Sequence, residues 1–452
     1  IETTIKRTAL GRRAITVSKK TVAFVPAKGT SERIPNKNLT ILDGEFLFKR
    51  KILQLLECKE IDEVWVDSES QEIHDLVNDL PVKHLYRDQA LANNKTDGHA
   101  MFANQTKHTD ADIVVQILCT APFINSVVVD NALAKFKQST HTSLVAVTRD
   151  RFYEWKDGRP LYGDNIPNSI DLPERIIEAM SFYAVKTNGV PTNKRYTDHV
   201  MLYELDPLQS LDIDNPNDLE LARIICAGQR SLKTQQMKMI SHILSSSLLS
   251  DVCKENNIKH FLSDTIKSLT GGKFLGFAKT LKLKTLDQED KDPAKDKWTG
   301  IFGALKSYEF VEPGDVIVVS TDVPDKAYFG DLNATFAMRR GAVGVVVDGY
   351  TRDVDKVTDM GLPVFAHGSR ANDIRYEGTL EAMNLPVTIN GVEVKNNDII
   401  FADSDGVICV PQEKWETVLH KAKESIKKET AVKLEATFGA DPFDVLNNIG
   451  TF

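Results

Sequence analysis

Five short apolar runs, each followed by a stretch with helical spacing, set the tightest limit on what this chain can fold into. TVAFV (21–25), DEVWV (62–66), KHLYR (83–87), DIVVQIL (112–118) and SLVAV (143–147) have the length and the β-branched or aromatic content of buried strands. Between them FKRKILQLLE, SQEIHDLVNDL, HAMFANQ and VVVDNALAKFKQ place apolar residues at helical intervals. This alternation predicts an α/β domain, with a parallel sheet covered by helices on both faces. Ligands on such sheets bind beyond the carboxyl ends of the strands. NPNDLELARIICAGQRSL has an Asn N-cap and an early Pro and reads as the closing helix. The predicted organisation is a basic segment over 1–20 with no assigned role, a first domain over 21–228, a linker over 229–236 and a second domain over 237–452.

The second domain has another texture. GDVIVVS, VGVVVDG, LPVFAHG, LPVTING and DIIFADSDGVICVP are β-rich runs ended by Gly, Asp or Pro, and a long charged helix closes the chain. They predict an α/β domain with a central β-layer. LKTLDQEDKDPAKDKW, within it, reads as an exposed loop.

Composition narrows the function classes. A formal net charge of −8 argues against a large nucleic-acid surface. No apolar run approaches a bilayer span and no signal-peptide h-region stands near the start, so no membrane role is expected. Five scattered cysteines without metal spacing suit a reducing, cytoplasmic compartment.

Four segments of the first domain carry chemistry. The loop PAKGTSERIPNKN (26–38) puts Lys28, Arg33 and Lys37 beside Gly29, Thr30 and Ser31 where the first strand ends. Such a loop can wrap phosphates through backbone N–H groups and cations, although the same letters suit a solvated surface. Arg87 follows the third strand and Gln116 lies inside the next; each also reads as an ordinary surface charge or core polar group. In QSLDIDNPNDLELA, Asp212 and Asp214 are two residues apart, and on a strand such positions face the same way. Paired carboxylates suit a hard divalent cation on a polyphosphate, and Asp-x-Asp before Asn-Pro also suits a turn.

Taken in order, these segments resemble the CMP-sialic acid synthetases, cytidylyltransferases of the Rossmann-like nucleotide-diphospho-sugar transferase fold. PAKGTSERIPNKNL, YRDQALANNKT, VVQILCTAP and LDIDNPNDLELA match that family's motifs over residues 21–228. The resemblance implies that Lys28 and Lys37 contact the triphosphate of CTP, with Ser31 in the same loop. It implies that Arg87 and Gln116 read the cytosine and that Asp212 and Asp214 hold Mg²⁺. Lys37, Asp212 and Asp214 become the catalytic groups, as a sugar-acid hydroxyl attacks the α-phosphate and pyrophosphate leaves. The chain departs from the family at Lys28, Glu32 and Arg33, usually Arg, Lys and Gly. The acceptor region, DLPERIIEAMSFYAV, departs further and leaves the acid open between sialic acid-like acids, an octulosonate and a phosphonate. Arg175, in a helix-like setting there, is a candidate carboxylate partner and equally a surface residue.

In the second domain, Asp331 precedes the pair Arg352-Asp353 by twenty intervening residues, and GAVGVVVDG delivers that pair to a strand end. An acid, a guanidinium and a further carboxylate suit chemistry on a 2-oxo acid, with Mg²⁺ on Asp353 and an anionic substrate on Arg352; a surface ion pair is the alternative. Residues 235–420 resemble the family joining 4-hydroxy-4-methyl-2-oxoglutarate aldolases to the regulators of RNase E activity. The resemblance implies that Asp331 and Arg352 are catalytic and that backbone amides near Leu332 and Asn333, with Arg352, bind pyruvate or a related 2-oxo acid. It also implies homo-oligomers, dimeric for the first domain and trimeric for the second, hence a dimer of trimers. A two-step enzyme is the leading expectation; a cytidylyltransferase carrying a non-catalytic regulatory or oligomerising domain is the other.

Overall fold

The computed structural model describes residues 20–93, 96–287 and 301–450. The basic segment, except Lys20, and the charged loop from residue 288 lie outside the described residues. The chain falls into two compact units: residues to Thr40 with Phe46–Ala222, and Ile41–Glu45 with residues from Arg223 onward.

The first unit is built on β1 (Thr21–Pro26), β2 (Glu63–Ser68), β3 (Lys83–Tyr86), β4 (Ile113–Ile117), β5 (Ser143–Asp150), β6 (Arg175–Lys186) and β7 (Val200–Glu204). They form a seven-stranded sheet in the order β7-β5-β6-β4-β1-β2-β3. Helices α1 (Leu47–Leu56), α2 (Gln71–Asp75), α3 (Gly98–Thr106) and α4 (Ser126–Gln138) connect its strands. Alternate residues of β1 feed different cores. Ala23 and Val25 join one apolar cluster while Val22 and Phe24 join another, as a strand covered on both faces requires. The sheet is mixed rather than parallel: β6 runs antiparallel between β4 and β5. A long excursion, 151–174, brings the chain back beside β5, and a return of that kind needs no helical crossover. The ladder slips between Glu178 and Tyr183, and there Met180 adopts the left-handed conformation at φ 49°.

The predicted linker is helical. Helix α5 (Pro216–Ile243) runs through 229–236 without a break, because QRSLKTQQMKMI contains no proline and is rich in helix formers. The predicted helix over 70–80 is shorter than its pattern and ends at Asp75.

The second unit holds a nine-stranded sheet. Its centre is β8 (Phe274–Thr285), β9 (Asp315–Thr321) and β11 (Gly344–Thr351), all parallel, followed by parallel β12 (Val364–Ser369). Helix α6 (Ser246–Glu255) precedes this sheet, short β10 (Ala327–Phe329) pairs with β11 and leads into α7 (Asp331–Arg339), and α8 (Val354–Met360) follows β11. Val316, Val318 and Val346 pack on one face, and Ile317, Val319, Val345 and Val347 on the other. All five cysteines are buried and none is in a disulfide. Burial pushes the thiols of Cys119 and Cys253 up to about 11 and that of Cys58 to about 12.

Candidate functional sites

The loop after β1 is held from inside. Ala27 N–H donates to the Asp67 carbonyl at 2.9 Å, Asn38 Nδ2 donates to the Lys28 carbonyl at 2.7 Å, and Ile34 is buried as an anchor. Gly29 N–H donates to Glu69 Oε1 at 2.8 Å, and a Cβ at Gly29 would stand 2.7 Å from Ser70 Cβ, so the close approach needs glycine. The remaining letters of the loop border a cleft of about 590 Å³. Lys28, Ser31, Glu32, Arg33 and Lys37 line it, together with Arg87, Asp212 and Asp214.

Asp212 and Asp214 lie in an extended stretch before α5 rather than on a ladder strand, and the alternation still holds. Ile213 is fully buried between them, and its N–H donates to the Thr120 carbonyl at 2.8 Å. Asp214 gathers the loop cations: Arg33 Nη1 is 3.1 Å and Lys37 Nζ 3.5 Å from its Oδ1. Lys37 Nζ also donates to the Ile213 carbonyl at 2.9 Å. Arg33, which stands where the resemblance expects glycine, thus adds a second cation on Asp214. Burial raises the Asp212 carboxyl above its ordinary range, against the Thr120 hydroxyl, and nearby Asp214 raises it further. Its Oδ1 is buried without a hydrogen-bond partner.

Arg87 and Gln116 are not placed alike. Arg87 lines the cleft, whereas Gln116 is wholly buried and does not. They are the ends of one buried polar chain. Arg87 Nε donates to Asp67 Oδ1 at 2.8 Å and Gln105 Nε2 to Asp67 Oδ2 at 2.6 Å. Gln116 Nε2 then donates to Gln105 Oε1 at 2.6 Å. Gln116 therefore supports this wall from behind. Arg87 Nη1 and Gln116 Oε1 are left without hydrogen-bond partners among the described residues, although Nη1 lies 3.9 Å from Glu69 Oε2.

Arg175 opens strand β6 instead of lying on a helix, and it pairs with Glu154 on an exposed face away from the cleft. Sequence reasoning missed Asp67, Gln105, Met180 and Arg195. A carboxylate inside the apolar run EVWVDS was a usable signal, because a buried charge needs a partner. Nothing in TNKRYTD marked Arg195, which lines the cleft at 8% exposure.

In the second unit, Asp331, Leu332, Asn333 and Arg352 line one small cavity of about 130 Å³, walled by Ile301, Ala304, Leu305, Tyr328 and Phe336. Asp353 caps α8 in the left-handed conformation (φ 54°). Its Oδ2 accepts from the Asp331 amide at 3.4 Å and lies 3.5 Å from Arg352 Nε. A Cβ on Gly330 would meet Asp353 Oδ2 at 2.7 Å, which fixes glycine there. Arg352 Nη1 pairs with Asp373 at 3.0 Å, a partner the sequence did not suggest. Lys356 Nζ, 2.9 Å from Asp331 Oδ2, holds the Asp331 carboxyl below its ordinary range, assisted by the Leu332 amide.

The first unit is a mixed α/β sheet with a cationic loop at a strand end facing paired acids, and the second is an α/β domain with a central β-layer. Residues 22–155 match the Cytidylyltransferase family model and residues 246–409 the Aldolase/RraA model. The second half thus belongs to the Aldolase/RraA family, and the first half is similar to the cytidylyltransferases over the residues matched. A protein of Halalkalibacterium halodurans assigned as a 4-hydroxy-4-methyl-2-oxoglutarate aldolase is 30% identical over 164 residues, covering 36% of this chain and 71% of that protein. The pseudaminic acid cytidylyltransferase of Campylobacter jejuni is 26% identical over 222 residues, covering 46% of this chain and 96% of that protein. The crystal structure of Streptomyces coelicolor RraAS2, an unusual member of the RNase ES inhibitor RraA family, is similar with a TM-score of 0.36 and 27% identity, over 41% of this chain and 90% of that one. No helix among the described residues is long and apolar enough to cross a membrane.

Proposed function

We propose that the first unit transfers CMP from CTP to a 2-oxo sugar acid of the pseudaminic or sialic kind, with release of pyrophosphate. The observation that carries this reading is the gathering of Lys28, Ser31, Arg33, Lys37, Arg87, Asp212 and Asp214 around one cleft. The triphosphate lies along the loop after β1, where Lys28 and Lys37 offset its charge and backbone N–H groups are at hand. Arg87, whose Nη1 makes no hydrogen bond to the protein, borders the place of the cytosine, and Gln116 keeps that wall in place through Gln105 and Asp67. The acceptor hydroxyl attacks the α-phosphorus and the bond to pyrophosphate breaks, so this chain's part is positioning and charge compensation.

Mg²⁺ fits the donors. The partnerless Asp212 Oδ1 and the Asp214 carboxylate are hard oxygen ligands, and Mg²⁺ takes one or two carboxylates while keeping water and phosphate oxygens. Bound to them, it would offset charge on the departing pyrophosphate. Pyrophosphate release tests the reading, with CTP against UTP and a panel of 2-oxo sugar acids. No CTP-dependent release with any acid refutes it.

The second unit, on the same proposal, is a lyase for pyruvate-type 2-oxo acids, with Arg352 holding the substrate carboxylate and Leu332 and Asn333 bordering it. Asp353 with water fits a hard cation, which would polarise the keto oxygen. Ulosonic acids are 2-oxo acids that form by adding a pyruvyl unit to an aldehyde, so an aldol step could supply the first unit's acceptor. Oxaloacetate decarboxylation by the full chain, with Asp353→Ala as control, checks the lyase; no Mg²⁺-dependent turnover favours a regulatory module. A dimer of trimers completes the proposal and is checked by light scattering.

A further inference from the structure

We propose that Arg195 binds the carboxylate of the acid acceptor, an inference that rests on the transferase reading above. A guanidinium stays charged at any ordinary pH, and burying it is costly unless a counter-charge or hydrogen bonds compensate. Arg195 is 8% exposed, lines the cleft, and has a buried Nε without a hydrogen-bond partner. Asp97 lies within reach of the Arg195 charge but spends an oxygen on capping α3, accepting from Ala100 N–H at 2.8 Å, and Glu178 accepts from the Tyr183 hydroxyl. The site therefore carries a buried cation whose Nε still lacks an acceptor.

The side chain is also held in place. Its Cζ stacks 4.6 Å over the Tyr183 ring, and its backbone N–H donates to His99 Nδ1 at 3.2 Å. A Cβ on Gly98 would lie 2.1 Å from Arg195 Cζ, so the first residue of α3 is glycine because the guanidinium lies against it. Such a fork suits a planar, two-oxygen anion.

Its wall is not the phosphate wall. Lys28, Arg33 and Lys37 all come from the loop after β1, and Asp214 holds two of them. Arg195 enters from the segment after β6, over Tyr183, which faces Gln116 in the β4–β6 ladder. Left-handed Met180, on the slipped part of the same strand, lines the cleft with it. A transferase for an acid needs two anion subsites, one for the triphosphate and one for the acceptor. Arg175, the carboxylate partner expected from the sequence, is tied to Glu154 outside the cleft, which leaves Arg195 to that role.

The test uses the full chain, calorimetry with CTP, and pyrophosphate release with N-acetylneuraminate, pseudaminate and 3-deoxy-octulosonate. The best acceptor is compared with its carboxamide. Arg195→Gln should raise the acceptor KM about 10- to 100-fold, the range of a hydrogen bond to a charged group, and leave CTP affinity within about twofold. It should also abolish the preference for the acid over its amide. Arg195→Lys should recover part of the loss, and Gly98→Ala, by displacing the guanidinium, should imitate Arg195→Gln. If Arg195→Gln folds poorly, Arg195→Lys and Gly98→Ala carry the same comparison. Where the wild type turns over, an unchanged acceptor KM in Arg195→Gln overturns the role of Arg195 alone, as does an equal loss of CTP affinity. A wild type that binds CTP but transfers to none of the acids overturns the acceptor reading and this proposal together.

Discussion

The buried polar chain behind Arg87 offers a quantitative test that needs no substrate. The Arg87 and Asp67 side chains are 1% and 0% exposed, and their ion pair is 2.8 Å long. Removing one member of such a pair leaves an uncompensated buried charge and costs about 3–5 kcal/mol. Asp67→Ala also strips Gln105 Nε2 of its acceptor, which puts the loss toward the upper end. At roughly 2–4 °C per kcal/mol for a domain of this size, the first unit's transition should fall by roughly 6–20 °C. Arg87→Met should destabilise by a similar amount. The double variant Asp67→Leu/Arg87→Met removes both charges, and replacing a whole buried pair by apolar groups is often neutral or stabilising. It should therefore recover most of the stability and none of the CTP affinity, because Arg87 lines the cleft. Urea unfolding followed by Trp65 fluorescence reads this, since Trp65 lies on β2 beside Asp67. A loss below about 1 kcal/mol in Asp67→Ala, or a double variant as weak as the singles, refutes the reasoning.

Other outcomes follow from the same geometry. Lys37→Ala should reduce pyrophosphate release by about 10²–10³-fold, the cost of losing one well-placed charge donor, with an unchanged circular dichroism spectrum. A nearly wild-type rate would return the loop to the solvent surface. Because burial raises the Asp212 carboxyl, its ionised form opposes folding at neutral pH, and that penalty fades as the pH falls toward the carboxylate range. Asp212→Asn should thus melt above wild type at neutral pH, with the gap closing in acid, while transfer is lost; melting curves across pH check this. Gly330→Ala pushes a methyl group to 2.7 Å from Asp353 Oδ2, and a displacement of Asp353, the proposed cation ligand, approaching 1 Å should lower oxaloacetate decarboxylation by about 10²-fold without unfolding the second unit.

Much of the frame was legible because strands buried on both faces have few ways to be written. TVAFV and DIVVQIL could hardly be anything else, and the cationic loop with its distant Asp-x-Asp pair meets in one cleft. What escaped depended on tertiary neighbours. The resemblance makes Gln116 a reader of the base while its place in a strand also suits a core polar group, and Gln105, eleven residues earlier on a helix, takes its amide. Arg175 sat in a sequence with helical spacing, but pairing with β5 made it the start of a strand. The stretch from Ser231 reads as polar and helical, and the change of composition that suggested a linker over 229–236 marks no break in the backbone. Arg195 lies in a polar loop, and only Tyr183 and Gly98 give it meaning.

The five buried thiols have a practical consequence. A thiol reacts as its thiolate, and burial suppresses that form as well as access. In the native protein, reagent uptake should therefore be gated by transient opening of the chain around each sulfur. Cys58 and Cys119 lie in the first unit, and Cys226, Cys253 and Cys409 in the second. The chain thus carries an unengineered clock in each half, and the labelling rate of each cysteine, with and without CTP, would time how often that half breathes.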